Sequence, residues 1–242
     1  MGKKIRKIAI FIFLIIGVSL LTYPYSIQKI YDKAALDSIK KFEEIKQSES
    51  SSEVVIVSEG AKKAGIDLGE LYRQMQKYNL DLYENGQGGF KDAWSYQKAS
   101  FDLTVWGFED NMVGYIEIPR MGIKLPLYLG ASELNMSKGA VHLTETSLPI
   151  GGKNTNCVIA AHRGYSRAAM FRDIEELQIG DQIHITNLWE TLIYRVVECK
   201  VINPNETSEV LIQKERDLVT LITCHPYRYN YQRYVVYCER IY

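Results

Sequence analysis

The sequence predicts a mainly β fold, a closed or nearly closed barrel behind an N-terminal helical preface. Three observations carry that prediction. From residue 113 onward, short β-branched and apolar runs recur with turn residues between them, the pattern of many short strands in one barrel. Before that point, apolar residues recur at helical spacing. Ahead of both lies a stretch, Ile8 to Gln28, with no charged side chain.

That leading stretch reads as a membrane anchor over residues 1–30. Ile8 to Leu21 is almost wholly apolar, and about 20 helical residues at ~1.5 Å each cross a ~30 Å hydrocarbon core. Tyr23 and Tyr25 stand at its trailing end, where an interfacial aromatic belt lies. Lys3, Lys4, Arg6 and Lys7 precede it, and no acidic residue comes before Asp32. This bias predicts the N-terminus inside and the rest outside, a single-pass protein of the cell membrane with an extracellular domain. The run continues into YPYSIQKIY without a small-x-small cleavage pattern, which argues against a removed signal peptide.

Residues 31–112 form the extracellular preface. Ala35, Ile39, Phe42 and Ile45 line one face of a helix over Tyr31 to Lys46. Gln47 to Glu53 (QSESSSE) is a polar break with the composition of a flexible linker. Leu71, Met75, Tyr78 and Leu82 mark a second helix over Leu68 to Tyr83, closed by turn residues from Asn85 to Gly89.

Residues 113–242 form the barrel. The expected strands are VGYIEIP, IKLPLYLG, TNCVIAAH, DQIHIT, ETLIYRVVECKVI, DLVTLITC and RYVVYCERI. Alternation is plain in Gln182 to Ile185 and in Leu192 to Val197. One short helix is expected near Ala168 to Leu177, and no internal repeat is visible.

Composition narrows the function classes. A net charge of +0 and a pI near 6.9 exclude a general polyanion binder, so no nucleic-acid partner is expected. The four cysteines, Cys157, Cys199, Cys224 and Cys238, contain no CxxC pair. That argues against a zinc ribbon, a thioredoxin-like motif and a disulfide-dense scaffold. No clustered ligand spacing and no acidic calcium loop appear, so neither metal nor cofactor is expected.

The chemistry concentrates in Leu218 to Arg233, LVTLITCHPYRYNYQR. An apolar run ends at Cys224, a Tyr-rich turn follows, and a second strand opens with Arg233. A strand that ends in cysteine places a nucleophile at the rim of a sheet. A free thiol has a pKa near ~8.5, so it needs a neighbour to take its proton. His162, in AAHRG at the end of another apolar strand, is the first candidate. His225 follows Cys224 directly and points to the other face in extended chain. His184 alternates with apolar neighbours and reads as a sheet-face residue. His142, in AVHLTETSLP, reads as a structural hydrogen-bonding group or as a lining residue of the site. Acyl transfer also builds negative charge on oxygen, which a fixed guanidinium can stabilise. Arg233, nine residues beyond Cys224 across a turn, has the spacing to return beside it. Arg228, in the turn, and Arg240, near the end of the sequence, are weaker candidates. The other three cysteines read as buried small hydrophobes.

Thr220-Leu221-Ile222-Thr223-Cys224 resembles the TLxTC motif of sortases, the membrane-anchored cysteine transpeptidases of Gram-positive bacteria. GYIEIPRMGIKLPLYLG, KGAVHLTETSLPIGGKNTN, AAHRGYSRAAMFRDI and GDQIHITN resemble further sortase segments in the same order. The resemblance implies a sortase-type closed β-barrel of about eight strands. It implies Cys224 as nucleophile, His162 as acid/base and Arg233 as charge stabiliser; Thr223 and His142, beside this set, are expected to bind substrate. The implied substrate is an extracellular protein with an LPxTG-like sorting signal, cleaved after Thr through a thioacyl enzyme that an amine resolves.

TCHPY, HLTETSLPIGG and QKYNLDL resemble class C, the pilus-polymerising members, for which the amine is a pilin lysine. Class C members often carry an Asp-Pro-aromatic lid. Lys91-Asp92-Ala93-Trp94-Ser95 stands at a suitable distance before the barrel, with Asp92 and Trp94 as lid residues and Ala93 in place of the usual Pro. The C-terminal membrane segment of many class C members has no counterpart after Arg240-Ile241-Tyr242. That leaves a housekeeping or class B-like enzyme, using an amine of a peptidoglycan precursor, as the related reading. A hydrolytic cysteine protease and a silent, membrane-tethered peptide-binding module are the others.

Overall fold

The stretches that read as strands close into one barrel built of two kinds of strand, some buried throughout and some buried on alternate residues. The computed structural model describes residues 2–50, 66–88, 97–164 and 168–242. Among these, eight strands occur: β1 (Met112–Ile118), β2 (Ile123–Leu129), β3 (Ala140–His142), β4 (Thr155–Ala160), β5 (Gln182–Asn187), β6 (Thr191–Ile202), β7 (Asp217–His225) and β8 (Gln232–Arg240). They close in the order β1-β2-β3-β4-β7-β8-β6-β5. β4 and β7 lie side by side and parallel. Parallel neighbours are covered on both faces, which is why both sequences read as continuous apolar runs. β4 is buried throughout, and β7 from Asp217 to Thr223. β5 and β6 pair antiparallel, and the first half of β6 alternates between exposed and buried positions, as a half-solvated strand must.

The core fills the barrel. Ile116, Ile118, Leu127, Val158, Leu221 and Val236 are wholly buried, each worth about 1.5–3 kcal/mol on transfer from water. Two features hold β7 in place. At its start, Asp217 accepts hydrogen bonds from the Gly152 N–H (2.8 Å) and the Tyr194 hydroxyl (3.0 Å). Near its end, the Thr223 hydroxyl donates to the Ala161 carbonyl at 2.7 Å, fastening β7 to the chain that leaves β4.

Among the described residues, three α-helices surround this sheet. α1 (Gly2–Ser50) runs without a break through residue 30, so the leading apolar stretch and the expected Tyr31–Lys46 helix are one element. Its first half is exposed, with Phe11, Phe13 and Leu20 all more than 60% accessible. Its second half buries Ala35, Ile39 and Phe42, and Phe42 meets Tyr115 edge-on at 6.3 Å. Gln47 to Ser50 of the expected linker continue the helix, and the rest of that linker lies outside the described residues. α2 (Leu68–Asn85) begins on an Asp67 cap that accepts from the Glu70 N–H, and it buries Leu71, Met75 and Leu82. Its buried Asn79 exchanges two hydrogen bonds with the backbone of Leu148.

α3 (Glu133–Lys138) and β3 were not foreseen, because six and three residues are too short to show a period. The helix expected over Ala168–Leu177 is corrected. That segment is a series of turns with one 3-10 turn at Ile174–Glu176. Met170 adopts φ +43, outside the right-handed helical region. The N–H groups of Ala169 and Phe171 go to Gln28 Oε1 and to the His162 carbonyl instead of forming a helical ladder.

Candidate active site

Cys224 and Arg233 meet because β7 and β8 form an antiparallel pair in which these two residues are direct partners. Directly opposed side chains share a face of the sheet. One guanidinium nitrogen of Arg233, Nη1, lies 3.9 Å from Cys224 Sγ. The same nitrogen donates to the carbonyls of Asn230 (2.7 Å) and Gln232 (2.8 Å), which fixes the guanidinium between turn and thiol. Arg233 is 3% accessible, so its charge acts through little water.

His162 reaches the same end along β4. The parallel register pairs Ala160 with Ile222. β4 ends two residues before His162, and the Thr223–Ala161 hydrogen bond ties the two chains together at the residues just before Cys224 and His162. The Phe171 N–H holds the His162 carbonyl at 3.0 Å, so the loop folds back on the histidine. Burial pushes the His162 imidazole below its ordinary pKa and favours the neutral ring.

His225 faces the other way, as alternation along the strand requires. Its Nδ1 lies 2.9 Å from Arg163 Nη1 and 3.0 Å from Glu175 Oε1. Unprotonated, Nδ1 accepts from Arg163; protonated, it donates to Glu175. Arg163 also donates to the Cys224 carbonyl (3.3 Å) and pairs with Glu175 (2.7 Å). Its side chain is only 4% accessible. This brace grips the backbone of the cysteine from behind. Sequence reasoning passed over Arg163 and Glu175; the one signal was an Arg next to the candidate histidine in AAHRG.

The other expected residues fall as follows. Thr223 and His142 are each 1% accessible, and their polar atoms are engaged inside the protein. His142 Nε2 lies 3.0 Å from both the Thr146 carbonyl and the Thr146 hydroxyl. Both residues therefore support the strands that carry the site. Asp92 and Trp94 lie outside the described residues, between Gln87, whose amide bonds the Glu145 carbonyl, and Gln97, bonded to the Ala131 carbonyl. Arg228 lies over the Tyr227 ring in the exposed turn, and Arg240 pairs with Glu190 at the far edge of β6. Cys157 and Cys238 are buried, and burial pushes both thiols far above their ordinary range. Cys199 is half-buried, and burial raises it as well. A thiol, an imidazole and a guanidinium thus gather at one end of the barrel. Together they are equipped for nucleophilic attack on a carbonyl, proton transfer and stabilisation of a developing oxyanion.

The Sortase domain family matches residues 116–241, a little over half of the chain. Sortase D of Bacillus subtilis (strain 168) is 29% identical over 131 residues, 53% of this chain and 63% of that protein. The chain spans less than two thirds of the length of the curated relatives it matches. Among solved structures, sortase C-1 of Streptococcus pneumoniae superposes with a TM-score of 0.71 at 33% identity, covering 85% of this chain and 98% of that one. Sortase C1 of GBS Pilus Island 1 gives a TM-score of 0.71 at 28% identity, covering 86% and 92%.

Proposed function

The chain belongs to the sortase family, and from that premise we propose that it is a membrane-anchored cysteine transpeptidase of the pilus-polymerising kind. The observation that carries the reading is the direct pairing of Cys224 with Arg233, with Sγ and Nη1 3.9 Å apart. The pilus assignment draws on the reach of the structural likeness. A match over 85% of the chain extends past the barrel into the helical preface.

In this reading neutral His162 takes the proton of the Cys224 thiol, and the resulting thiolate attacks the Thr carbonyl of an LPxTG-like signal on a surface or pilin protein. The carbonyl oxygen becomes an oxyanion, and Arg233 holds it by a charge-assisted hydrogen bond. His162 gives a proton to the departing Gly amine, and the C–N bond breaks, leaving a thioester on Cys224. A lysine amine then loses a proton to His162 and attacks the thioester. The sulfur leaves as thiolate, and a new isopeptide bond remains. No cofactor enters these steps. α1 supplies the anchor: among the described residues it is the helix long and apolar enough to cross a membrane, and its apolar window is wholly unburied.

The test mixes the protein with LPxTG-like peptides and either a pilin-lysine peptide or a peptidoglycan-type amine. Ligation to the lysine peptide supports the reading. Exclusive ligation to the peptidoglycan amine replaces it with cell-wall anchoring, and release of free acid alone replaces it with hydrolysis.

A further inference from the structure

We propose that the catalytic end of the barrel rests on the surface of the lipid bilayer, through the aromatic turn between β7 and β8. The proposal rests on the reading of the first half of α1 as a membrane anchor. α1 is one helix, so its lipid-embedded part fixes the direction of the part that lies on the barrel. Its uncharged stretch ends at Gln28. At that residue Oε1 accepts a hydrogen bond from the Ala169 N–H at 2.9 Å. Further along, Lys46 Nζ donates to the Asn187 carbonyl at 2.8 Å, at the end of β5. Eighteen residues separate the two contacts, about 27 Å of helix at ~1.5 Å per residue. The end of the barrel that Gln28 touches is therefore the end turned toward the bilayer.

That end is the one carrying His162 and Cys224. Ala169 lies two residues before Phe171, whose N–H holds the His162 carbonyl. The β7–β8 turn sits on the same loop. Gly164, at φ +85, leaves room for Tyr227: a Cβ there would lie 3.6 Å from Tyr227 Cε2 and 3.8 Å from the Ala168 carbonyl oxygen.

The turn itself has the make-up of an interfacial segment. Tyr227, Tyr229 and Tyr231 are 43%, 63% and 59% accessible. The rings of Tyr229 and Tyr231 stand 5.8 Å apart, and the Arg228 guanidinium lies 5.4 Å from the Tyr227 ring. Tyrosine has an apolar body and a polar tip, and arginine carries its charge on a long stem. Both suit the headgroup level, where aromatic belts form. Tyr23 and Tyr25, just before Gln28 on α1, are exposed as well. Three exposed tyrosines within five residues, at the end of the barrel that Gln28 touches, fit a lipid surface.

The experiment places the full chain in nanodiscs of phosphatidylcholine and phosphatidylglycerol. The photo-crosslinker p-benzoylphenylalanine replaces Tyr229 or, in a second variant, Tyr231. The same substitution at Tyr25 reports the anchor. At Lys153, exposed at the opposite end near Asp217, it reports background. Mass spectrometry reads lipid adducts. The expected result is adducts at 25 and at 229 or 231, the latter about tenfold above 153, because an interfacial ring remains in contact with lipid. Adducts at 25 but only background at both turn positions overturn the proposal and leave the anchor standing. A yield at 153 equal to those at both 229 and 231 overturns it too. No adduct at 25 removes the anchor reading, and the proposal with it.

Discussion

Arg233 illustrates how a single side chain can be over-determined. It is buried, it holds two turn carbonyls, and it faces the sulfur of its cross-strand partner. Lysine keeps the charge but lacks the planar fork. Arg233→Lys is expected to lower the acylation rate about 10²–10³-fold, the usual effect of losing one oxyanion donor, with KM for the peptide changed far less. Stopped-flow acylation with an LPxTG-like peptide reads this directly.

Arg163 acts one step back, as a positioning residue through the Cys224 carbonyl. Arg163→Met removes the donor that His225 and that carbonyl share, and leaves Glu175, itself half in solvent, without its arginine partner. Urea titration should show a loss of about 1–2 kcal/mol, the cost of hydrogen bonds to a charged group reduced for solvent screening. Because the cysteine backbone is also released, kcat should fall more than KM rises. Equal kcat in variant and parent would reduce Arg163 to a purely structural role.

His142 makes a pH prediction. Its burial lowers the pKa from 6.5 to about 4. The unfolded chain therefore takes up this proton near pH 6.5, while the folded chain resists it until about pH 4. Stability from this group is complete above pH 6.5 and is lost as pH falls toward 4, by about 3 kcal/mol at the limit. Denaturant midpoints measured across that window should slope accordingly, and His142→Gln should flatten the slope.

Elements were legible where they were long and where their period was strong. β6, with its alternation, and β7, with its unbroken apolar run, stand out in the sequence for opposite reasons: one faces water on one side, the other nowhere. β3 is visible only through its pairing with β2 and β4. The segment after His162 was misread as a helix. Its composition favours one, yet its N–H groups serve tertiary partners on α1 and His162. Closure of the barrel depends on β1 meeting β5 at Gly114. A Cβ there would lie 2.0 Å from the Thr186 carbonyl oxygen, which is backbone and cannot step aside. Gly114→Ala should therefore cost about 1–3 kcal/mol or more by overpacking the seam. Thermal unfolding followed by circular dichroism checks this, and an unchanged midpoint would mean that the seam can open without penalty.

For the molecule as a whole, the thiol, imidazole and guanidinium were legible as three residue types at the ends of three runs. The pairing of two of them is a register, and register follows from strands that end at known turns. The Arg163–Glu175 brace was not legible, because it joins a loop and a 3-10 turn that only the closed barrel brings together. The helical preface was legible in its halves and not in its continuity. Along α1 the pattern changes midway, from exposed apolar residues to one face packed on the barrel, without a change of backbone.

The central claim is that Cys224 carries the acyl group between a sorting peptide and an amine at this end of the barrel. Intact-protein mass spectrometry during reaction with an LPxTG-like peptide and a lysine peptide tests it most directly. The account predicts a thioester adduct that maps to Cys224, consumed as ligated product appears, and neither species with Cys224→Ala. Ligated product from the Cys224→Ala protein would contradict it.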